Sequence, residues 1–316
     1  VFSIDFKRTL ACSSVSQIGF ILVGAGMQGL LGEHNEIAIR GTVLHMVNHS
    51  LFKLVLFMVA GVIYMNLHKL NLNDIRGFGR KKPLLKFIYL MGALGIGGIP
   101  LWSGYISKTL LHESMVEYIH EMHLSSSTMH VVTAQAMGVF EWIFLISGGM
   151  TIAYMTKLFV AVFVEENADK ELQAKYDGMK QYMNKSSARV LTLGAVLFPI
   201  MGILPKFTMD KMADMSEGFM GWNHAGHSVD YFAWVNLKGS VFSIVIGVIL
   251  YFGVIRVFLM KKEEGQAVYV NRWWKYLDLE DYIYRPILLK FLPTVCAAVC
   301  LVIDRLIDGF VIIMRK

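Results

Sequence analysis

His45, His49 and Lys53 stand at i, i+4 and i+8 of one long apolar stretch, GTVLHMVNHSLFKLVLFMVAGVIYMNLHK, which runs from Gly41 to Lys69. On a helix the three share one stripe. Crossing a bilayer takes roughly 20 residues, and between its ends this stretch carries one formal charge, Lys53. Ionisable groups at such depth are costly and by default mark ion pathways. Lysine and histidine both take up and release protons, and burial or a neighbouring charge changes how readily they do so. The chemistry indicated is proton movement, with Asn48 and Ser50 as groups able to hold water. The alternative for Lys53 is a purely structural pairing with an acid on another helix.

Lys108 is the second such group. It follows the cluster GIGGIPLWSG, Gly95 to Gly104, which is poor helix material. Broken backbone at membrane depth is tolerated only inside protein or beside a water-filled cavity. A discontinuous helix near 92–108 with a lysine just past the break is therefore expected. Lys7 precedes the first apolar run, and on spacing alone it reads as an interface anchor. Lys157 sits near one end of a later run and reads as a side chain that snorkels to the interface.

Residues 109–140 hold His112, Glu113, Glu117, His120, Glu121, His123 and His130. Their spacing matches no defined metal site, and a solvated, partly helical loop is expected. Cys12, Cys296 and Cys300 fall in apolar helices and read as small packing residues. No nucleotide loop, catalytic triad, redox motif or cofactor ligand set is present. No cofactor, no metal and no bond chemistry are expected.

The elements that must position these groups follow from the apolar runs. Of 316 residues 55% are hydrophobic and 17% charged, and the mean hydropathy is +0.51. Uncharged runs cover Thr9–Gly32, Phe87–Ser107, Val190–Pro205, Gly239–Ile255 and Phe291–Ile303, and Trp142–Val164 carries only Lys157. The fold class is all-α, a polytopic membrane protein of about six to seven transmembrane helices. The expected spans are about 9–31, the central stretch, a broken helix from 84, then 141–164, 189–204 and 235–260. Residues 32–40, 165–188 and 206–238 are expected as a short connection, a surface helix and a polar, Met-rich loop. Residues 272–284 mix aromatics and charges as an interfacial segment does. Residues 286–314 form either a seventh span or, because of Asp304, Arg305 and Asp308, a helix along the surface. The whole, 1–316, reads as a single membrane domain: a channel core over 1–164 and peripheral and C-terminal helices over 165–316. The loop 69–86 is the most basic and is assigned to the cytoplasm. The net charge of +6 lies in such short loops, which excludes a nucleic-acid binder. The chain begins with Val, which suggests a fragment or a processed chain.

Three segments in this order, DFKRTLACSSVSQIGF, HMVNHSLFKLVLFMVAG and IPLWSGYISKTLL, with DIRGFGRKKP between the last two, resemble the antiporter-like proton-translocating subunits. Those occur in respiratory complex I, in Mrp-type cation/proton antiporters and in membrane-bound hydrogenase or formate hydrogenlyase complexes. Near the C-terminus, YLDLEDYIYRP followed by DRLIDG is similar to the large distal complex I subunit and its Mrp relative, where a long helix runs along the membrane. The resemblance implies a proton path through Lys7, His45, His49, Lys53 and Lys108, raising Lys7 from anchor to channel residue. Lys108 would be the terminal lysine of the second half-channel; one branch of the family has Glu there. It also implies that this chain corresponds to the second of two inverted five-helix repeats, so that the first repeat lies on a missing part or on another chain.

The function expected is proton, or Na+/H+, translocation by a membrane subunit of a redox-driven complex. Such a subunit does no redox chemistry itself and belongs to an NADH:quinone oxidoreductase-like or hydrogenase-like assembly. Its partners would be other membrane subunits, the lipid bilayer and H+ or Na+. Its place would be the energy-transducing membrane of a bacterial or archaeal cell. Two alternatives stand beside this: a stand-alone Mrp-type antiporter subunit, and a structural lateral brace that conducts nothing.

Overall fold

The structure, a computed structural model, describes residues 1–124, 128–219, 229–263, 266–272 and 279–315. Contacts divide the chain into two units, Val1 with Ser3–Val270 and Phe2 with Asn271–Lys316.

In the first unit, α1 (Phe6–Leu31) opens at Asp5, whose carboxylate accepts the Arg8 N–H at 2.6 Å, satisfying one donor that a helix start leaves free. α2 (Glu36–Leu67) packs against α1, α4, α5, α8 and α9, and the unit is built around it. It starts earlier than expected, so Arg40 lies inside the helix rather than in a connection. A four-residue turn, α3 (Leu72–Ile75), leads to α4 (Pro83–Gly97). Pro83 suits the first helical turn, where a missing N–H costs nothing.

α4 has 15 residues and rises about 22 Å. That is short of a hydrocarbon core of about 30 Å, so α4 alone does not cross it. It closes on Gly98 at φ +75, whose N–H bonds Gly95 O at 3.0 Å. Pro100 follows, and α5 (Ser103–Leu124) then resumes. The two halves lie so close that a Cβ on Gly104 would sit 1.9 Å from Gly95 O. The expected break is present, confined to 98–102.

α6 (Thr128–Phe163) is longer than expected. The stretch 109–140 is not a solvated loop: its described residues belong to α5 and α6. Tyr105 to Met137 contains neither Gly nor Pro, and its Glu, Met and Leu residues favour helix. α7 (Lys170–Gly178), α8 (Lys185–Ile203) and α9 (Met209–Phe219) follow. α9 occupies part of the expected polar loop 206–238; residues 220–228 of that loop lie outside the described residues. α10 (Trp234–Ile249) continues through a π-helical turn, Leu250–Ile255, into α11 (Arg256–Phe258). An antiparallel hairpin, β1 (Met260–Glu263) and β2 (Gln266–Tyr269), closes the unit with Met260 opposite Tyr269.

Two apolar clusters hold α5 in place. Phe20, Met27, Leu111, Met115 and Phe144 join α1, α5 and α6. Leu44, Tyr105, Leu110, Met201 and Met209 join α2, α5, α8 and α9. Outer faces are apolar as well, with Val15, Leu22, Leu193 and Ile249 exposed, as lipid-facing surface is. Among the described residues six helices are long and apolar enough to cross a membrane.

In the second unit, π-helical turns Glu280–Tyr284 and Ile287–Phe291 precede α12 (Leu292–Met314). Residues Asp281–Val311 are apolar and long enough to cross a membrane. Of the segment 272–284 expected at the interface, residues 273–278 lie outside the described residues.

Candidate functional site

The last carbonyls of any helix lack intrahelical donors. At the end of α4 the Lys108 ammonium supplies them, donating to Ile96 O at 2.9 Å and Gly97 O at 3.3 Å. A cation suits a helix C-terminus, where the backbone dipole is negative. Lys108 is 9% exposed. Its ammonium also lies 5.0 Å from the centre of the Phe20 ring on α1, within cation–π range.

Another neighbour of Phe20 is His45, whose ring meets it edge-on at 5.7 Å. His45 Nδ1 lies 3.1 Å from Ser107 Oγ. Asn48 donates to the same hydroxyl at 3.1 Å and to Ser103 O at 2.9 Å. Lys53, two turns beyond His45, is buried and donates to Leu10 O on α1 at 2.6 Å. Neither Lys53 nor Lys108 faces a carboxylate among the described residues; both ammonium groups rest on backbone carbonyls. His49 lies between His45 and Lys53, half-buried. Among the described residues, the buried atoms His45 Nε2, His49 Nε2, Asn48 Oδ1, Gln17 Oε1 and Ser103 Oγ have no protein hydrogen-bond partner. Buried polar atoms in native proteins are nearly always bonded to protein or water, so this row of donors and acceptors suits a hydrated path.

The structure thus brings His45 and Lys108 both against Phe20, with His49 and Lys53 further along α2. It does not bring Lys7 to them: Lys7 is exposed in the first turn of α1. Ser50 is exposed and bonds its own helix at Met46 O.

Several polar groups escaped the sequence reading. Lys157 does not snorkel; it is 1% exposed and donates to Val1 O and Ser3 O, both at 2.6 Å. One turn along α6, Tyr154 donates to Ser13 Oγ at 2.7 Å, and Gln17 reaches Thr151 Oγ1 at 3.5 Å. The small polar run in α1 is what allows this seam. Arg40 is buried and meets Glu217 at 2.7 Å, Asp214 at 2.8 Å and Asp210 at 3.7 Å, all on α9. His112 Nε2 lies 2.8 Å from Glu141 Oε1 on α6. The i, i+4 relation of Lys108 and His112 was the available signal for that last group; nothing in the spacing announced Glu141. Among the described residues no cluster of three or more His, Cys, Asp or Glu side chains fits a metal ion.

Comparison with known proteins shows what the chain is similar to. Residues 1–134 match the family model described as NADH:quinone oxidoreductase/Mrp antiporter, TM. The chain is 28% identical over 235 residues to Na(+)/H(+) antiporter subunit A1 of Staphylococcus haemolyticus, covering 71% of this chain and 28% of that one. It is 31% identical over 166 residues to hydrogenase-4 component B of Escherichia coli, covering 50% of this chain and 23% of that protein. In fold it is similar to a chain in a solved structure of the Mrp complex from Dietzia sp., with a TM-score of 0.56 at 20% identity, covering 81% of this chain and 25% of that chain. The chain therefore spans a third or less of the relatives it matches. Residues 1–134 thus match the NADH:quinone oxidoreductase/Mrp antiporter transmembrane family, and the chain is similar to antiporter-like membrane subunits.

Proposed function

We propose that this chain carries protons across the membrane, alone or in exchange for Na+, as part of a multisubunit assembly. The relay runs through His45, His49, Lys53 and Lys108, and Lys7 is its exposed member at the start of α1. The carrying observation is that two buried lysines are held by carbonyls, not carboxylates. A carbonyl accepts an N–H from an ammonium or from a neutral amine, so each lysine can lose its proton without stranding a buried anion. Lys108 and His45 both contact Phe20, and water around the unbonded atoms of Asn48 and Ser103 supports transfer between them.

Exchange driven by an opposing ion gradient is favoured by the longer match, to an antiporter subunit. A redox-driven assembly is the second reading, favoured by the hydrogenase relative at higher identity over a shorter span. Vesicles holding the complete assembly separate them, since exchange without an electron donor supports the first and a strict need for one supports the second. In either, Lys53→Ala is expected to abolish coupled translocation while the assembly forms normally. Translocation at the wild-type rate contradicts the proposal.

A further inference from the structure

Beyond Lys108 the relay needs a way out, and the elements around α5 supply one that the sequence reading missed. Lys108 and His112 are one turn apart on α5 and line the same cavity, of about 30 Å³, with Thr109, Asn236, Ser240 and Ser243. A polar cavity of that size holds a water molecule. His112 is 5% exposed, and its Nε2 lies 2.8 Å from Glu141 Oε1. The Glu141 side chain is 25% exposed, so the pair joins a buried ammonium to the surface. Gly239 on α10 packs against the face of His112 that carries Nδ1; a Cβ there would stand 3.2 Å from that atom. Phe144 covers the ring from α6, its centroid 6.2 Å away. The charged groups acting on the pair are Glu113 from α5 and Lys238 from α10.

We infer that His112 and Glu141 form the outlet of the relay. With Nε2–H donated to Glu141, the Nδ1 lone pair is free to accept. Lys108 gives a proton to the cavity water, which protonates Nδ1. Nε2 then passes its own proton to Glu141 Oε1, and the neutral imidazole returns in its other tautomer. The carboxylic acid releases the proton to bulk water, and ring reorientation resets the pair. Each step moves one proton and leaves Lys108 neutral, ready for the next proton from the His45 side. This outlet rests on the relay reading of the preceding section.

The test uses the complete native assembly in proteoliposomes, with internal pH read by a trapped dye. Glu141→Gln and His112→Gln are each expected to cut translocation about tenfold or more, and Glu141→Asp to restore most of it. The residual activity of Glu141→Gln should lose the dependence on outlet-side pH that the wild type shows, which a merely structural role would not produce. Wild-type rates and an unchanged pH profile in both Gln variants, beside an inactive Lys108→Ala, overturn the outlet and leave the relay standing. A wild-type rate in Lys108→Ala overturns the relay itself. Should Glu141→Gln fail to assemble, Gly239→Ala alters no polar group yet presses on His112; a reduced rate there supports the outlet, and an unchanged one counts against it.

Discussion

The middle of the first unit and its two ends hold buried cations in different ways. At one end Arg40 is gripped by Asp210, Asp214 and Glu217 of α9, and Asp210 accepts from Tyr231 at 2.6 Å. Burial pushes the Glu217 carboxyl up, against the pull of Arg40. At the other end Glu165 joins Arg76 at 2.9 Å and Arg256 at 2.5 Å, and accepts from Tyr269 at 3.1 Å. These pairs tie α9 to α2 and the hairpin to the loop before α4. In the middle, Lys53 and Lys108 rest on carbonyls of Leu10, Ile96 and Gly97. A charge beside a carboxylate is fixed, because removing one partner strands the other. A charge on carbonyls is free to change. Arginine, which keeps its proton in proteins, serves the ends, and lysine, whose proton is exchangeable, serves the middle.

The largest effect that would break this division is in the middle. Lys108→Ala is expected to lower translocation by about two orders of magnitude or more in an intact assembly, measured in proteoliposomes. Arg40→Met should do the reverse. It strands carboxylates on α9 and costs about 3 kcal/mol, seen as a lower unfolding temperature of the purified assembly. Translocation per assembled complex should stay within about threefold of wild type, as for a change outside the path. A severe transport loss in well-assembled Arg40→Met would blur the boundary between end and middle. Gly98→Ala sharpens it at the break. It puts a Cβ at φ +75, 2.7 Å from Lys108 Cδ, at a backbone cost of about 1–2 kcal/mol. Transport should fall more than stability.

The smallest effect concerns Lys82, a buried lysine of the basic end that is held, like those of the middle, by carbonyls, Phe78 O and Tyr176 O, each at 2.8 Å. Burial holds its ammonium down to about 8, with Asp177 pulling the other way, against an ordinary 10.5. Between those values the unfolded chain binds the more protons, so stability rises with pH across that window. Lys82→Met lacks the titration. The unfolding temperature of wild type minus that of Lys82→Met should therefore grow as pH goes from about 8 toward 10.5. A flat difference removes this assignment.

Much of the middle was legible in the sequence. Periodicity placed His45, His49 and Lys53 on one helix, and the glycine and proline cluster announced the break beside Lys108. The ends were not legible, because their partners are far apart in sequence. Arg40 and Glu217 are separated by 177 residues, and the acids on α9 read as a polar loop without the buried arginine that faces them. The density of Glu and His in 109–140 suggested solvent exposure, yet His112 is buried once α6 and α10 pack beside it. Lys157 reads as snorkelling unless the carbonyls of Val1 and Ser3 are known to lie over it. For Lys7, exposed in the first turn of α1, the resemblance to the family carries the assignment.

The most direct test of the central claim is the translocation rate of the assembly carrying Lys53→Arg. Arginine keeps the positive charge and the hydrogen bond to Leu10 O within reach, but it does not give up its proton at working pH. If Lys53 works by exchanging a proton, Lys53→Arg assembles normally and translocates no faster than Lys53→Ala. Translocation by Lys53→Arg at the wild-type rate would mean that a fixed charge suffices and that no proton passes through this residue.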